Sequence, residues 1–198
     1  MNYLAHAYLS FNNPSLLVGN MIADYVKGKQ QYDYSHTIQA GIQLHRAIDF
    51  FTDTHEATLP IKNLFKPAYR LYASAFVDVV LDYFLANDKL IFNNNFTLIN
   101  FVNNTYALLD KYQTQFPHKF ANMYPYMKSQ NWLLHYGTDE GMQKSFNGLQ
   151  KRAKYIIEID SAFELFLTHK SQIALAYQAF FPELKSFANS KVNELLKH

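Results

Sequence analysis

The chain has 198 residues, 49% of them hydrophobic, with 18 Lys and Arg against 16 Asp and Glu for a formal net charge of +2. That is enough apolar length for one domain with a substantial core. The mild charge argues against nucleic-acid binding, which calls for a clustered and strongly basic face, and the absence of Cys excludes disulfides, thiolate zinc sites and a cysteine nucleophile.

The opening MNYLAHAYLS lacks the basic start and unbroken apolar run of a signal peptide, and no apolar run approaches about 18 residues. A soluble cytoplasmic protein that spans no membrane is expected. Asn13 and Pro14 read as an N-cap followed by proline at the first helical position, and Gly28 closes the helix that carries LLVGNMIADYVKG. Ser35 is placed to cap the next helix, which runs to about Thr54 before Pro60 ends it. From Pro67, AYRLYASAFVDVVLDYFLAND has apolar residues at helical spacing and stops near Asn93, Asn94 and Asn95. Further helices are predicted over 97–113, 118–130, 139–155, 159–179 and 183–196, the last begun by Pro182. Strand signals are almost absent, and there is no repeat or Gly/Ser linker. The predicted fold class is all-α, a single-domain multi-helix bundle over residues 1–198, its core bulky with 17 Phe and 15 Tyr.

Polar groups that interrupt apolar helices carry the chemistry. HRAIDFFTDTH places His45, Asp49 and Asp53 four residues apart beside Ile48, Phe50 and Phe51. Residues at i and i+4 share a helix face, so the stripe is either a solvated face with Arg46 as ion-pair partner or the wall of a cation site. One ion cannot take all three. His45 and Asp53 are separated by roughly 12 Å along the axis, whereas metal ligands stand at about 2.0 to 2.6 Å.

His6 in NYLAHAYL, Asp24 in NMIADYV, and Asp78 with Asp82 in FVDVVLDYF are likewise set among apolar residues. A buried carboxylate is costly unless paired, hydrogen-bonded or bound to metal. Taken singly, each has a plain reading: a satisfied histidine, a carboxylate capping or pairing with Lys27, the polar edge of a surface helix. Taken together, four segments within the first 82 residues offer carboxylate and imidazole groups and no thiolate, a set that favours Mn²⁺ or Mg²⁺ over structural zinc. His36, His55, His118, His135, His169 and His198 show no such company.

The segments MNYLAHAYLS, GNMIADYVKG, GIQLHRAIDFFTD and FVDVVLDYFL, in this order and spacing, resemble those of the acyl carrier protein phosphodiesterase family. QNWLLHYG and NGLQKRAKY extend the similarity along nearly the whole chain. The resemblance implies a divergent all-helical relative of the HD phosphohydrolases, dependent on Mn²⁺, Mg²⁺ or another divalent cation. It implies hydrolysis of the phosphodiester joining 4'-phosphopantetheine to a serine of holo acyl carrier protein. The residues matching the family's motifs are His6, Asp24, His45, Asp49, Asp53, Asp78 and Asp82. Among these, Asp24, His45 and Asp49 with Asp78 or Asp82 are read as metal ligands, and His6 and Asp53 as groups facing substrate or orienting the ligands. The chain has no adjacent His-Asp pair; its nearest equivalent is His45 with Asp49. Arg46 is read as a phosphate-steadying group, or as a salt bridge to Asp49 or Asp53.

Lys27, Lys29, Lys62, Lys66 and Arg70 would form a basic rim that steers an acidic carrier protein; the plainer reading is scattered solubilising charge. Two other functions fit the residues: a phosphohydrolase of a nucleotide or other small phosphate ester, and a helical module that binds an acidic protein without cleaving it.

Overall fold

The computed structural model describes residues 1–152 and 160–197. The chain enters through a short helix, α1 (Tyr3–Tyr8), and at α2 (Pro14–Ile22) the Asn13 side chain accepts from the amides of Ser15 and Leu16 at 3.1 Å each. The N-cap read from Asn13-Pro14 therefore forms, with proline where no amide is needed. The helix does not run on to Gly28. It stops at Ile22 and gives way to a 3₁₀ turn, Ala23–Tyr25, which carries Asp24. Gly28, at φ +51, opens a second 3₁₀ segment, Gly28–Asp33.

Next comes α3 (His36–Thr54), which lies along α2. Two glycines set their separation. A Cβ on Gly19 would stand 2.8 Å from the Gly41 Cα and closer still to the carbonyl of Ile38; one on Gly41 would stand 2.9 Å from the Gly19 Cα. Neither position has room for a methyl group, so the two backbones touch. Gly19 adjoins Asn20, and Gly41 lies one helical turn before His45, both residues of the site described below.

Pro60, read as the end of α3, instead lies in the first turn of a separate helix, α4 (Leu59–Tyr69). Proline is tolerated there because the first turn leaves its amides unbonded anyway. Pro67 falls inside α4 rather than at the start of a helix, and α4 ends at Arg70, whose φ is +46. A 3₁₀ turn then leads into α5 (Ala73–Ala86), which carries Asp78 and Asp82. The chain continues through α6 (Asn95–Asp110), α7 (His118–Ser129), the single turn α8 (Trp132–His135), α9 (Asp139–Arg152), α10 (Asp160–Thr168) and α11 (Lys170–Leu195). The rest of the 139–155 helix, the end of the NGLQKRAKY segment and the first residue of the 159–179 helix lie outside the described residues.

Pro182 does not begin the last helix; it sits within α11. An interior proline costs about 3 kcal/mol. Phe180, Phe181 and Leu184 around it are buried, each contributing about 1.5 to 3 kcal/mol, so packing outweighs the break. Among the described residues the structure is all-α with no strand, and no helix is long and apolar enough to cross a membrane.

Gly41→Ala is expected to lower the unfolding free energy by about 1 to 3 kcal/mol, the cost of overpacking a close contact. Urea unfolding followed by circular dichroism measures it.

Candidate metal centre

His45 lies on the buried face of α3, with its Nδ1 2.8 Å from the backbone carbonyl of Asn20. A carbonyl only accepts, so Nδ1 carries the proton and Nε2 is left with its lone pair on the far side of the ring. His6, buried on α1, is held the same way. Its Nδ1 lies 2.8 Å from the Asn20 Oδ1, and that amide is oriented by its own nitrogen, which donates to the His6 carbonyl at 2.9 Å and to the Ser10 hydroxyl at 3.2 Å. One residue thus fixes both rings, which stack with centroids 3.9 Å apart at 17°.

Both Nε2 atoms face Asp49, one turn along α3 from His45. Asp49 Oδ2 is 3.1 Å from the His45 Nε2 and Oδ1 is 3.2 Å from the His6 Nε2. From its 3₁₀ turn, Asp24 brings Oδ1 to 3.3 Å from the His45 Nε2. The His6 Nε2 is in hydrogen-bond geometry with the Met1 carbonyl at 3.1 Å, an acceptor like the Asn20 Oδ1 at Nδ1, so the single proton of a neutral His6 ring cannot serve both. The carboxylate contacts are ion-pair separations without hydrogen-bond alignment at two of the atoms: His45 Nε2 and Asp49 Oδ1 are buried and meet no aligned partner. With both rings neutral, lone pairs would confront lone pairs across this space. Such a cluster needs positive charge at its centre.

Divalent-cation chemistry fits that need. His6, His45 and Asp49 each offer a ligand atom, and these atoms lie within 4.8 Å of one another. An ion with bonds of about 2.0 to 2.6 Å spans that separation, and imidazoles whose Nδ1–H is held by an oxygen are the usual orientation for Nε2 ligation.

The protonation pattern follows from the same contacts. Burial lowers His6 to about 4, and the neighbouring His45 adds to the shift. Burial also opposes charge on His45, but contacts to Asp24 and Asp49 outweigh it and raise the ring to about 9. Burial works to raise Asp49 as well, yet the two histidines hold it well below the usual carboxylate range. In the absence of metal, therefore, His45 supplies the cation as a proton.

The other sequence-identified residues are distributed around this core. Asp78 borders the same small cavity, with Oδ1 2.6 Å from the Met1 ammonium, which in turn lies 3.8 Å from Asp49. Asp82 is fully buried and spends its oxygens on α1, accepting from the amides of Asn2 at 3.1 Å, Leu4 at 2.8 Å and Ala5 at 3.4 Å. Burial pushes it up to about 7. Asp82 therefore anchors the helix that presents His6. Asp53 faces solvent, 3.5 Å from the Lys62 ammonium. Arg46 donates to the Gln31 side chain at 2.9 Å and to the Val26 carbonyl at 3.3 Å, tying the segment after Asp24 onto α3 rather than pairing with Asp49 or Asp53 among the described residues. Lys27, Lys29, Lys66 and Arg70 are exposed, and Lys62 is half-buried.

Asn20 is the site residue that sequence reasoning missed. Its signal was present: an amide in the apolar run LLVGNMIA raises the same question of satisfaction that Asp24 raised four residues later.

An all-helical protein whose two buried imidazoles and one carboxylate converge as a candidate divalent-cation centre is the class that fold and site define. The family model described as acyl carrier protein phosphodiesterase matches residues 1–184, and the chain belongs to that family. It is similar to the acyl carrier protein phosphodiesterase of Photorhabdus laumondii, 29% identical over 193 residues covering 96% of each chain. The proteins of that name from Klebsiella pneumoniae and Yersinia enterocolitica are each 30% identical, covering 96% of this chain and 99% of theirs. No solved structure matches it significantly.

Asn20→Ala leaves the His6 Nδ1–H buried without its acceptor. The expected cost is about 1 to 3 kcal/mol of stability and roughly 10- to 100-fold in divalent-cation affinity, read by isothermal titration calorimetry. Only a neutral ring could ligate a cation, and the two carboxylates raise His45 to about 9, so a cation taken up here at pH 7 would release a proton. Apparent affinity in the wild-type protein should climb between pH 7 and 9 and level off above.

Proposed function

We propose that the chain hydrolyses the phosphodiester joining 4'-phosphopantetheine to a serine of holo acyl carrier protein, with Mn²⁺ or Mg²⁺ held by His6, His45 and Asp49. The observation that carries this reading is the inward-facing acceptor cluster, in a chain whose relatives are named for a phosphodiesterase acting on acyl carrier protein. The donor set of imidazole and carboxylate without thiolate supports Mn²⁺ or Mg²⁺ over structural zinc.

A cation bound there supplies positive charge for a phosphoryl oxygen and makes a water more acidic. The chain's own residues do the rest. Asn20 keeps both Nδ1 atoms protonated, so both Nε2 atoms stay available. Asp24, with its side chain 66% exposed, stands at the open edge and accepts the proton given up by the attacking water. Water attacks phosphorus and the serine oxygen leaves, so no side-chain nucleophile is needed. Asp78 and Asp82 position the start of the chain and α1, and Arg46 holds the turn that carries Asp24 through Val26 and Gln31. Asp53, on the outer continuation of the stripe, faces the approaching carrier protein. Lys27, Lys29, Lys62, Lys66 and Arg70 supply the basic rim that attracts it.

Mass spectrometry of holo acyl carrier protein incubated with the protein and Mn²⁺ is expected to show loss of the phosphopantetheine group. His45→Ala and Asp49→Ala should slow that loss by about a hundredfold or more, the scale of losing a group that organises transition-state charge. Intact carrier protein alongside cleaved nucleotides would favour the small-ester reading instead. Steering by the rim predicts a KM that rises with ionic strength, since exposed charges are screened over about 10 Å at 0.1 M salt. A KM indifferent to salt would remove the rim from the mechanism.

A further inference from the structure

Next to the candidate centre, and sharing Asn2 and Tyr3 with it, is a cleft of about 640 Å³. The cavity bordered by His6, Asp24, His45 and Asp49 is smaller, about 200 Å³. Helix α9 touches both, Gly148 at the cleft and Leu149 at the centre. The two spaces are continuous in their lining, so a substrate whose phosphate sits at the centre has the cleft beside it.

The cleft's chemistry restricts what it takes. Its volume lies within the roughly 300 to 1,000 Å³ of small-molecule sites, well beyond the needs of a phosphate alone. Trp132 and Tyr136 give it aromatic surface, while Gln130 and Asn147 contribute side-chain amides. Lys144 also borders it but is paired with Glu140 at 2.6 Å, which leaves the described lining close to neutral. Aromatic faces suit methylene and methyl groups, and side-chain amides suit a ligand with its own amide donors and acceptors.

We propose that this cleft receives the pantetheine arm of the carrier-protein substrate. The arm is a neutral chain of amide bonds and methylenes ending in a thiol, and it leaves the phosphate at the centre past Asn2 and Tyr3. The ligand's identity rests on the phosphodiesterase reading above; occupancy of the cleft is measured separately from turnover.

Gly148 provides the variant. Among the described residues a Cβ there meets nothing within 4 Å, and replacing a helix-interior glycine improves helix propensity, so Gly148→Phe puts a ring into the cleft while the protein stays folded. Trp132 is the sole tryptophan of the sequence, so intrinsic fluorescence reports on the cleft. Titration of the wild-type protein with pantetheine should give a saturable change in emission. Gly148→Phe should weaken binding by about tenfold or more, as expected of a built-in clash, while Gly148→Ala binds like wild type. No saturable change in the wild-type protein, or equal affinity in Gly148→Phe, overturns the proposal. Pantetheine binding that responds to Gly148→Phe in a protein that leaves holo acyl carrier protein intact would instead overturn the hydrolase reading and leave the cleft assigned.

Discussion

Two imidazole lone pairs are compelled to face a carboxylate, and the surrounding architecture is arranged around that constraint. Asn20 compels them from one position, with its side-chain oxygen bonded to the His6 ring and its backbone carbonyl to the His45 ring. Burial removes the alternatives. A neutral ring turned this way in water would find a water donor for Nε2, but both rings are almost fully buried, where an unmatched polar group costs about 1 to 3 kcal/mol. Positive charge at the centre relieves the mismatch, as a proton on His45 or as a divalent cation.

Three packing features keep the rings in register. The contact of Gly19 with Gly41 brings α2 against α3 closely enough for the Asn20 carbonyl to reach His45. Asp82, from α5, collects amides at the start of α1 and so sets the height of His6. Arg46 fastens the segment after Asp24 to α3, which brings the Asp24 carboxylate to His45. Each is a polar or steric contact between elements remote in sequence, and each acts on a group of the centre. The cleft of about 640 Å³ beside the centre shares Asn2 and Tyr3 with it.

The helical class and the pairing of His45 with Asp49 were legible in the sequence, because both depend on i to i+4 spacing, a local property of helices. The convergence of His6 and Asp24 with them was legible only as coincidence, since tertiary packing brings α1 and the Asp24 turn to α3. Asp53 obeys the same spacing as Asp49 but points to solvent, one turn too far along the axis. Asp78 and Asp82 interrupt an apolar helix as a metal site would, yet Asp82 satisfies its burial with backbone amides of α1, a partner that sequence spacing cannot name. The end of the third helix at Thr54 was legible, whereas Pro67 and Pro182 read as helix starts and lie inside helices. Proline's local cost is fixed, whereas the burial that outweighs it at Phe180 and Phe181 is decided by the fold.

The central claim is that His6, His45 and Asp49 share one divalent cation. Its most direct test is an anomalous-scattering map of crystals grown with Mn²⁺. The expected result is a single strong peak at about 2.0 to 2.3 Å from both Nε2 atoms and from an Asp49 oxygen. A map with no peak there, while the ion is bound elsewhere on the protein or not at all, would contradict it.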